Sequence, residues 1–332
     1  MKKTFLAGVG VTFGLALGAA SMASAETLTI YSGRGEALIG PLVAQFEATT
    51  GIDAEVRYGG TSELATLLLE EGANTPADVF WAQDAGALGA LAASFAELPA
   101  EVNGAVIDVF RSDANKWVAT SGRTRVLVYS TERVAEDALP ASILDLTDEA
   151  YRGRVSWAPT NGSFQAFVTA FRVAEGEEAA KAWLEAMIAN DAKVYRNNGT
   201  QIDAIANGEV DFGLVNNYYL GRYTGPDPEF PVGQTPFADG DIGNLVLSAG
   251  AGIVEVSDNK EAAQAFLDFL LSPVAQQFIT LQGYEYPVIE GVIPHGTLES
   301  LEKVNEVSPR VDLNQIGDLE GTLALLREVG LL

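Results

Sequence analysis

Short β-branched or aromatic runs alternate with longer helical patterns along the chain. This alternation constrains the fold most, because it selects an α/β protein with largely parallel sheets. The strand runs are Thr27 to Tyr31, Ala54 to Tyr58, Asp78 to Trp81, Arg125 to Tyr129, Arg154 to Trp157 and Asp211 to Val215. Pro41 to Ala48 reads as a helix with the proline in its first turn, where a missing N–H does no harm. Trp183 with Met187, and Leu184 with Ile188, have the four-residue spacing of a core-facing stripe on a helix from about Glu177. Phe266, Phe269 and Leu270 repeat it, and Ser272-Pro273 caps and starts another helix.

Ahead of the first strand, Lys2 and Lys3 precede a mostly apolar stretch from Phe5 to Ala23, closing on Ala23-Ser24-Ala25. That order predicts a secretory signal peptide over residues 1–25, cut after Ala25. The stretch is long enough to span a bilayer, but no basic stop-transfer flank follows it, which favours cleavage. Cleavage leaves 307 residues, too many for one ordinary core and comfortable for two lobes. Without Lys2 and Lys3 the balance is 18 basic against 45 acidic residues, a net charge of −27. Such a surface repels nucleic acid and anionic membranes and attracts cations. With no cysteine, the sequence has no disulfide framework, thiolate metal site or lipobox anchor. The expectation is a freely diffusing monomer of the periplasm, with no membrane insertion after cleavage.

In open α/β sheets, ligands collect where strands deliver their carboxyl ends to loops and helix N-termini, and anions favour those N-termini. Four such junctions are rich in polar or small residues: YSGRGE (31–36), FWAQDAG (80–86), APTNGSF (158–164) and VNNYYLG (215–221). In a continuing strand, Tyr218 and Tyr219 would face opposite sides of the sheet. In the first turn of a helix they are about 100° apart and can lean towards one point, so a strand-to-helix junction is expected there. One ring in the core and one at the surface is the ordinary arrangement for such a pair, yet no apolar periodicity here requires two rings.

If both phenols are metal ligands they must ionise, which at a reference pKa of about 10 costs about 4 kcal/mol per ring at pH 7. Only a strongly Lewis-acidic cation offsets that. Calcium and magnesium select carboxylates and carbonyls, and zinc selects His or Cys; the only histidine is His295. Hard trivalent iron suits phenolate oxygen best. Ferric ion is the first candidate. The alternative is an ABC-type receptor for a small anion such as a phosphonate or organic acid, with the phenols as hydrogen-bond donors.

Read along these segments, the chain resembles the periplasmic ferric-ion-binding proteins that feed iron-uptake ABC transporters. LTIYSGR, TPADVFWAQDAGAL, SGRTRVLVYS, NGEVDFGLVNNYYL and GYEYPV fall in the family's order, and NNYY is the specific part. The resemblance implies a two-lobed periplasmic-binding-protein (type II) clamshell with hinge crossover strands, near Arg125 and Leu245. It implies an N-terminal lobe of 26–124 and 250–303 and a C-terminal lobe of 125–249 and 304–332. Tyr218 and Tyr219 would grip Fe3+ with a synergistic carbonate or phosphate. That anion would lie against Asn161, Gly162 and Ser163, with Asn198 beside them, and against Arg123, whose fork suits planar carbonate. The implied partner is an inner-membrane ABC permease.

Three departures from the family's pattern bear on the site. Arg34-Gly35 stand where some members carry a histidine ligand, Gln83 where many carry a glutamate, and Phe164 where some carry a third tyrosine. Contacts from the opposite lobe are left to Arg34, Gln83, Asp84, Glu36 and Tyr58. Arg34 suits an anion better than the metal, since its charge opposes a trivalent ion.

Enzyme motifs find little support, so no enzyme is expected. SDNK (257–260) overlaps two motifs of penicillin-recognising enzymes, but four residues cannot be both and no KTG follows. Ser257 or Asp258 reads instead as a helix N-cap. One histidine precludes H-E-x-x-H, and a Ser-His-Asp triad lacks its G-x-S-x-G elbow. GRGEAL fails the dinucleotide spacing, and DGDIGN (239–244) lacks an EF-hand's terminal Glu and reads as a turn.

Overall fold

The computed structural model describes residues 27–112, 115–312 and 315–332; the predicted signal peptide lies outside them. The first unit is β1 (Leu28–Ser32), α1 (Glu36–Thr50), β2 (Ala54–Tyr58), α2 (Thr61–Glu71), β3 (Val79–Ala82), α3 (Ala85–Ala90) and α4 (Ala100–Gly104). The long strand β4 (Val118–Ser130) then leads to β5 (Val155–Trp157), α5 (Gly162–Glu175), α6 (Glu177–Ala189), β6 (Lys193–Val194) and α7 (Asn198–Ala206). After these come β7 (Phe212–Asn216), α8 (Tyr218–Thr224), β8 (Val232–Thr235) and β9 (Val246–Ile253). The chain ends with α9 (Lys260–Leu270), α10 (Pro273–Gly283), α11 (Leu301–Val307) and α12 (Leu319–Glu328).

The strands run in the order β2-β1-β3-β9-β4-β7-β5-β6, with β8 also on β4. Strand β4 changes partners part-way: residues 118–124 pair with β9, and 125–130 with β7 and β8. It passes from one lobe's sheet to the other's at Thr124–Arg125. The flanks β2-β1-β3 and β6-β5-β7 are parallel, as expected, but every pairing of β4 and β9 is antiparallel. The chain crosses between lobes outward on β4 and back on β9, so the sheets are mixed rather than largely parallel.

Each lobe has an aromatic-rich core. In the first, Phe46 meets Phe266 edge-on at 5.0 Å and Trp81 meets Phe266 at 5.7 Å. In the second, Trp157, Phe164, Phe167 and Trp183 pack mutually, with Phe164 at 5.7 Å from Trp157. Two sequence expectations change. Helix α1 begins at Glu36, with Pro41 inside it, because Ile39, Leu42, Val43 and Phe46 form one buried face across the proline. Helix α9 has Asn259 at its N-cap, because Ser257 donates to Asp78 at 2.6 Å instead. Asn244 donates to the Val307 carbonyl at the end of α11, at 3.1 Å. Ser272 does cap α10, with Pro273 in its first turn. Among the described residues, no helix is long and apolar enough to cross a membrane.

Candidate metal centre

The NNYY segment sits at the expected junction, with Asn216 ending β7 and Tyr218 opening α8. Its two amides have different tasks. Asn216 accepts from Arg125 Nη1 at 3.0 Å, and its Nδ2 lies 3.4 Å from the Tyr218 hydroxyl. Asn217 clips the start of α8 to the crossover point of β4: its N–H donates to the Thr124 carbonyl at 3.0 Å, and its Oδ1 accepts from the Thr124 N–H at 2.9 Å.

The Tyr218 and Tyr219 rings stack at 4.6 Å and 28°. Arg222 lies over both, 5.3 Å from the first and 4.9 Å from the second. Tyr218 is buried, and burial together with Tyr219 pushes its phenol up to about 12 against the opposing pull of Arg123. Both phenols border a cavity of about 630 Å3 whose lining includes Arg123, Asn161, Gly162, Ser163, Gln83 and Asp84.

On the tyrosine side, Asn161 caps α5 through its Oδ1, 3.0 Å from the Ser163 N–H and 2.6 Å from the Ser163 hydroxyl. Asn198 is buried behind this loop and donates to Ser163 Oγ at 3.1 Å. Arg123, on β4, is 3% exposed, and its Nε and Nη1 have no hydrogen-bond partner among the described residues. A buried guanidinium with idle N–H groups beside a cavity is suited to an anionic ligand. Arg125, two residues on, is spent internally on Asn216, Asn198 and the Leu214 carbonyl, and burial lowers it to about 10.

On the facing wall, Asp84 caps α3 through the Ala87 N–H at 3.1 Å, while Gln83 Oε1 accepts from Arg34 at 2.9 Å. Arg34 does not border the cavity; it is 2% exposed and forms a 2.9 Å ion pair with Glu285, which Ser121 also meets. Burial alone would raise the Glu285 carboxyl, but Arg34 and Arg123 hold it below the ordinary carboxylate range.

Two sequence candidates lie elsewhere. Tyr58 ends the edge strand β2 and borders an outer groove with Arg57, Glu63 and Glu70. Glu36 opens α1 on the exposed surface beside it. Neither residue is among those that border the cavity. Phe164, where some family members carry a third tyrosine, is a core residue against Trp157. Among the described residues no group of three or more His, Cys, Asp or Glu could hold a metal.

Sequence reasoning missed Arg125 and Glu285 as parts of the site. Arg125 could have been found as a charge inside the buried run RVLVY, and Glu285 as an acid between two tyrosines in GYEYPV.

Two sheets joined by crossover strands around a polar cleft define a solute receptor. Residues 31–277 match the bacterial extracellular solute-binding proteins, and the chain belongs to that family. Within it, the chain is 33% identical over 324 residues to the major ferric iron-binding protein of Neisseria meningitidis serogroup B, covering 95% of this chain and 96% of that one. Its structure is similar to that of iron-bound HitA from Pseudomonas aeruginosa, with a TM-score of 0.82, 34% identity and coverage of 92% of this chain and 99% of that one. Trichodesmium IdiA (FutA), in complex with iron and citrate, follows with a TM-score of 0.80, 28% identity and coverage of 92% and 100%. The two-lobed type II periplasmic-binding-protein fold of these neighbours is the fold of this chain.

Proposed function

We propose that the cleft captures Fe(III) between the ionised phenols of Tyr218 and Tyr219 and delivers it from the periplasm to an inner-membrane ABC permease. The observation that carries this reading is the stacked pair of buried Tyr218 and half-buried Tyr219 beside Arg123, whose buried Nε and Nη1 have no hydrogen-bond partner among the described residues. Two phenolates leave coordination positions open. A synergistic carbonate or phosphate fills some of them, held by Arg123 and the Asn161-Gly162-Ser163 turn with Asn198 bracing it. Gln83 and Asp84 face the metal from the other lobe when the cleft closes. The protein works as a monomer and catalyses no reaction, and the lobe division drawn from the sequence belongs to the same reading.

Ionising Tyr218 at pH 7 from a pKa of about 12 costs about 7 kcal/mol. Trivalent iron offsets that cost; a weakly acidic divalent ion does not. Part of the selectivity of the cleft therefore comes from how hard the Tyr218 phenol is to ionise. Phenolate-to-iron charge transfer absorbs visible light, so purified protein titrated with ferric citrate turns red to purple, and Tyr218→Phe or Tyr219→Phe bleaches it. A colourless wild type that holds a phosphonate or organic acid tightly would instead establish the anion receptor.

A further inference from the structure

The glycine face of α8 meets a bracket from outside its own lobe. A Cβ on Gly221 would come within 2.5 Å of Tyr284 Cδ1 and 3.0 Å of Thr297 Oγ1, and one on Gly225 within 3.0 Å of the Tyr284 hydroxyl. The ring of His295 lies 4.5 Å from that of Tyr284, and His295 Nδ1 is 2.9 Å from Thr297 Oγ1. Tyr284 is also one of two non-glycine residues with positive φ among those described, at +56° as the C-cap of α10. Glycine would occupy that position with less strain, so the backbone alone gives no reason for a tyrosine.

The bracket rests on a firm base. Tyr286 exchanges both backbone hydrogen bonds with Gly122 of β4, at 2.8 and 2.7 Å, and Glu285 between them is locked to Arg34. On the opposite side of α8, Leu220, Tyr219 and Tyr223 pack into the cluster around Ile202 and Val126. The helix is held from both sides, and its rotation decides where the phenols point.

We infer that Tyr284, backed by His295 and Thr297, is a positioning residue for the tyrosine pair, its ring seated on Gly221 and Gly225 to keep both phenols turned to the cleft. This rests on the reading of Tyr218 and Tyr219 as iron ligands. Supporting residues behind metal ligands change affinity by roughly 10- to 100-fold when lost. Tyr284→Gly keeps the left-handed backbone and removes only the ring. It should lower ferric affinity by about that factor, shift the charge-transfer maximum, and speed hydrogen exchange at residues 218–224 of the iron-free protein. Tyr284→Phe keeps the ring and should match wild type in all three. Gly221→Ala should weaken iron binding in the wild-type chain and cost less in the Tyr284→Gly background, where only Thr297 Oγ1 remains close to the added methyl.

The inference is overturned if Tyr284→Gly leaves affinity, band position and exchange unchanged, or if its affinity loss comes with a global melting shift and an unmoved band. An iron-bound wild type without colour would sink the parent reading instead, and the exchange measurement on the iron-free protein still judges the bracket.

Discussion

Tyr218 carries the hardest electrostatic problem in the cleft. Burial and its stacked neighbour hold its phenol near 12 in the empty protein, above the ordinary tyrosine value of about 10. A group whose folded pKa is raised contributes stability that is complete below its unfolded value and disappears as pH climbs through the folded one. The empty protein should lose that contribution only between about pH 10 and 12. Iron reverses the preference by binding the form that burial disfavours. Each phenol must release a proton, so affinity should rise by about two decades per pH unit between pH 6 and 8, once the chelator's own protonation is subtracted. The slope should fall to about one in Tyr218→Phe. Competition titrations against citrate measure both slopes, and a flat wild-type profile would exclude tyrosinate ligation. The pair itself was legible in the sequence because two phenols at a strand exit have no packing explanation. Glu285 was not, since a buried acid becomes meaningful only when Arg34, 251 positions away, arrives beside it.

At the scale of elements, the crossover strands do the least conspicuous work. Strands β1 to β3 announce themselves through β-branched and aromatic runs, whereas β9, VLSAGAGI, has no such run and enters the sequence reading only as the crossover expected near Leu245. Its small residues answer to neighbours that the sequence does not display. A Cβ on Gly252 would fall 2.8 Å from the Phe95 ring, and one on Gly250 2.7 Å from the Val118 carbonyl and 2.9 Å from Trp117. Tertiary crowding, not strand propensity, set the composition of β9, and local patterning cannot reveal that. Strand β6 has only two residues, and β8, VGQT, lacks the apolar run that marks the comparably short β3 and β5. Gly252→Ala should therefore destabilise the protein by about 1–2 kcal/mol despite alanine's ordinary advantage over glycine in a strand. Urea unfolding should show a lower midpoint with an unchanged slope. An unchanged or raised midpoint would mean that Phe95 yields freely and that β9 is not packed as tightly as its glycines indicate.

Across the whole molecule, the tyrosines and the α5 turn line one wall of a cleft of roughly 630 Å3, and Gln83 and Asp84 line the facing one. In the proposed function, iron and anion together would supply what the two walls lack: charge for the phenols and acceptors for Arg123. Their binding should draw the lobes together about β4 and β9, a hinge closure rather than a local rearrangement. Small-angle scattering should thus report a smaller radius of gyration on adding ferric citrate with carbonate, and no change for the Tyr218→Phe, Tyr219→Phe double variant. The same loading should raise thermal stability, by about 2.7 kcal/mol when free iron chelate is a hundred times its dissociation constant. Iron binding with full colour but no compaction would separate capture from closure. The opposite wall would then play no part in holding the metal, and delivery would depend on the tyrosine-bearing lobe alone.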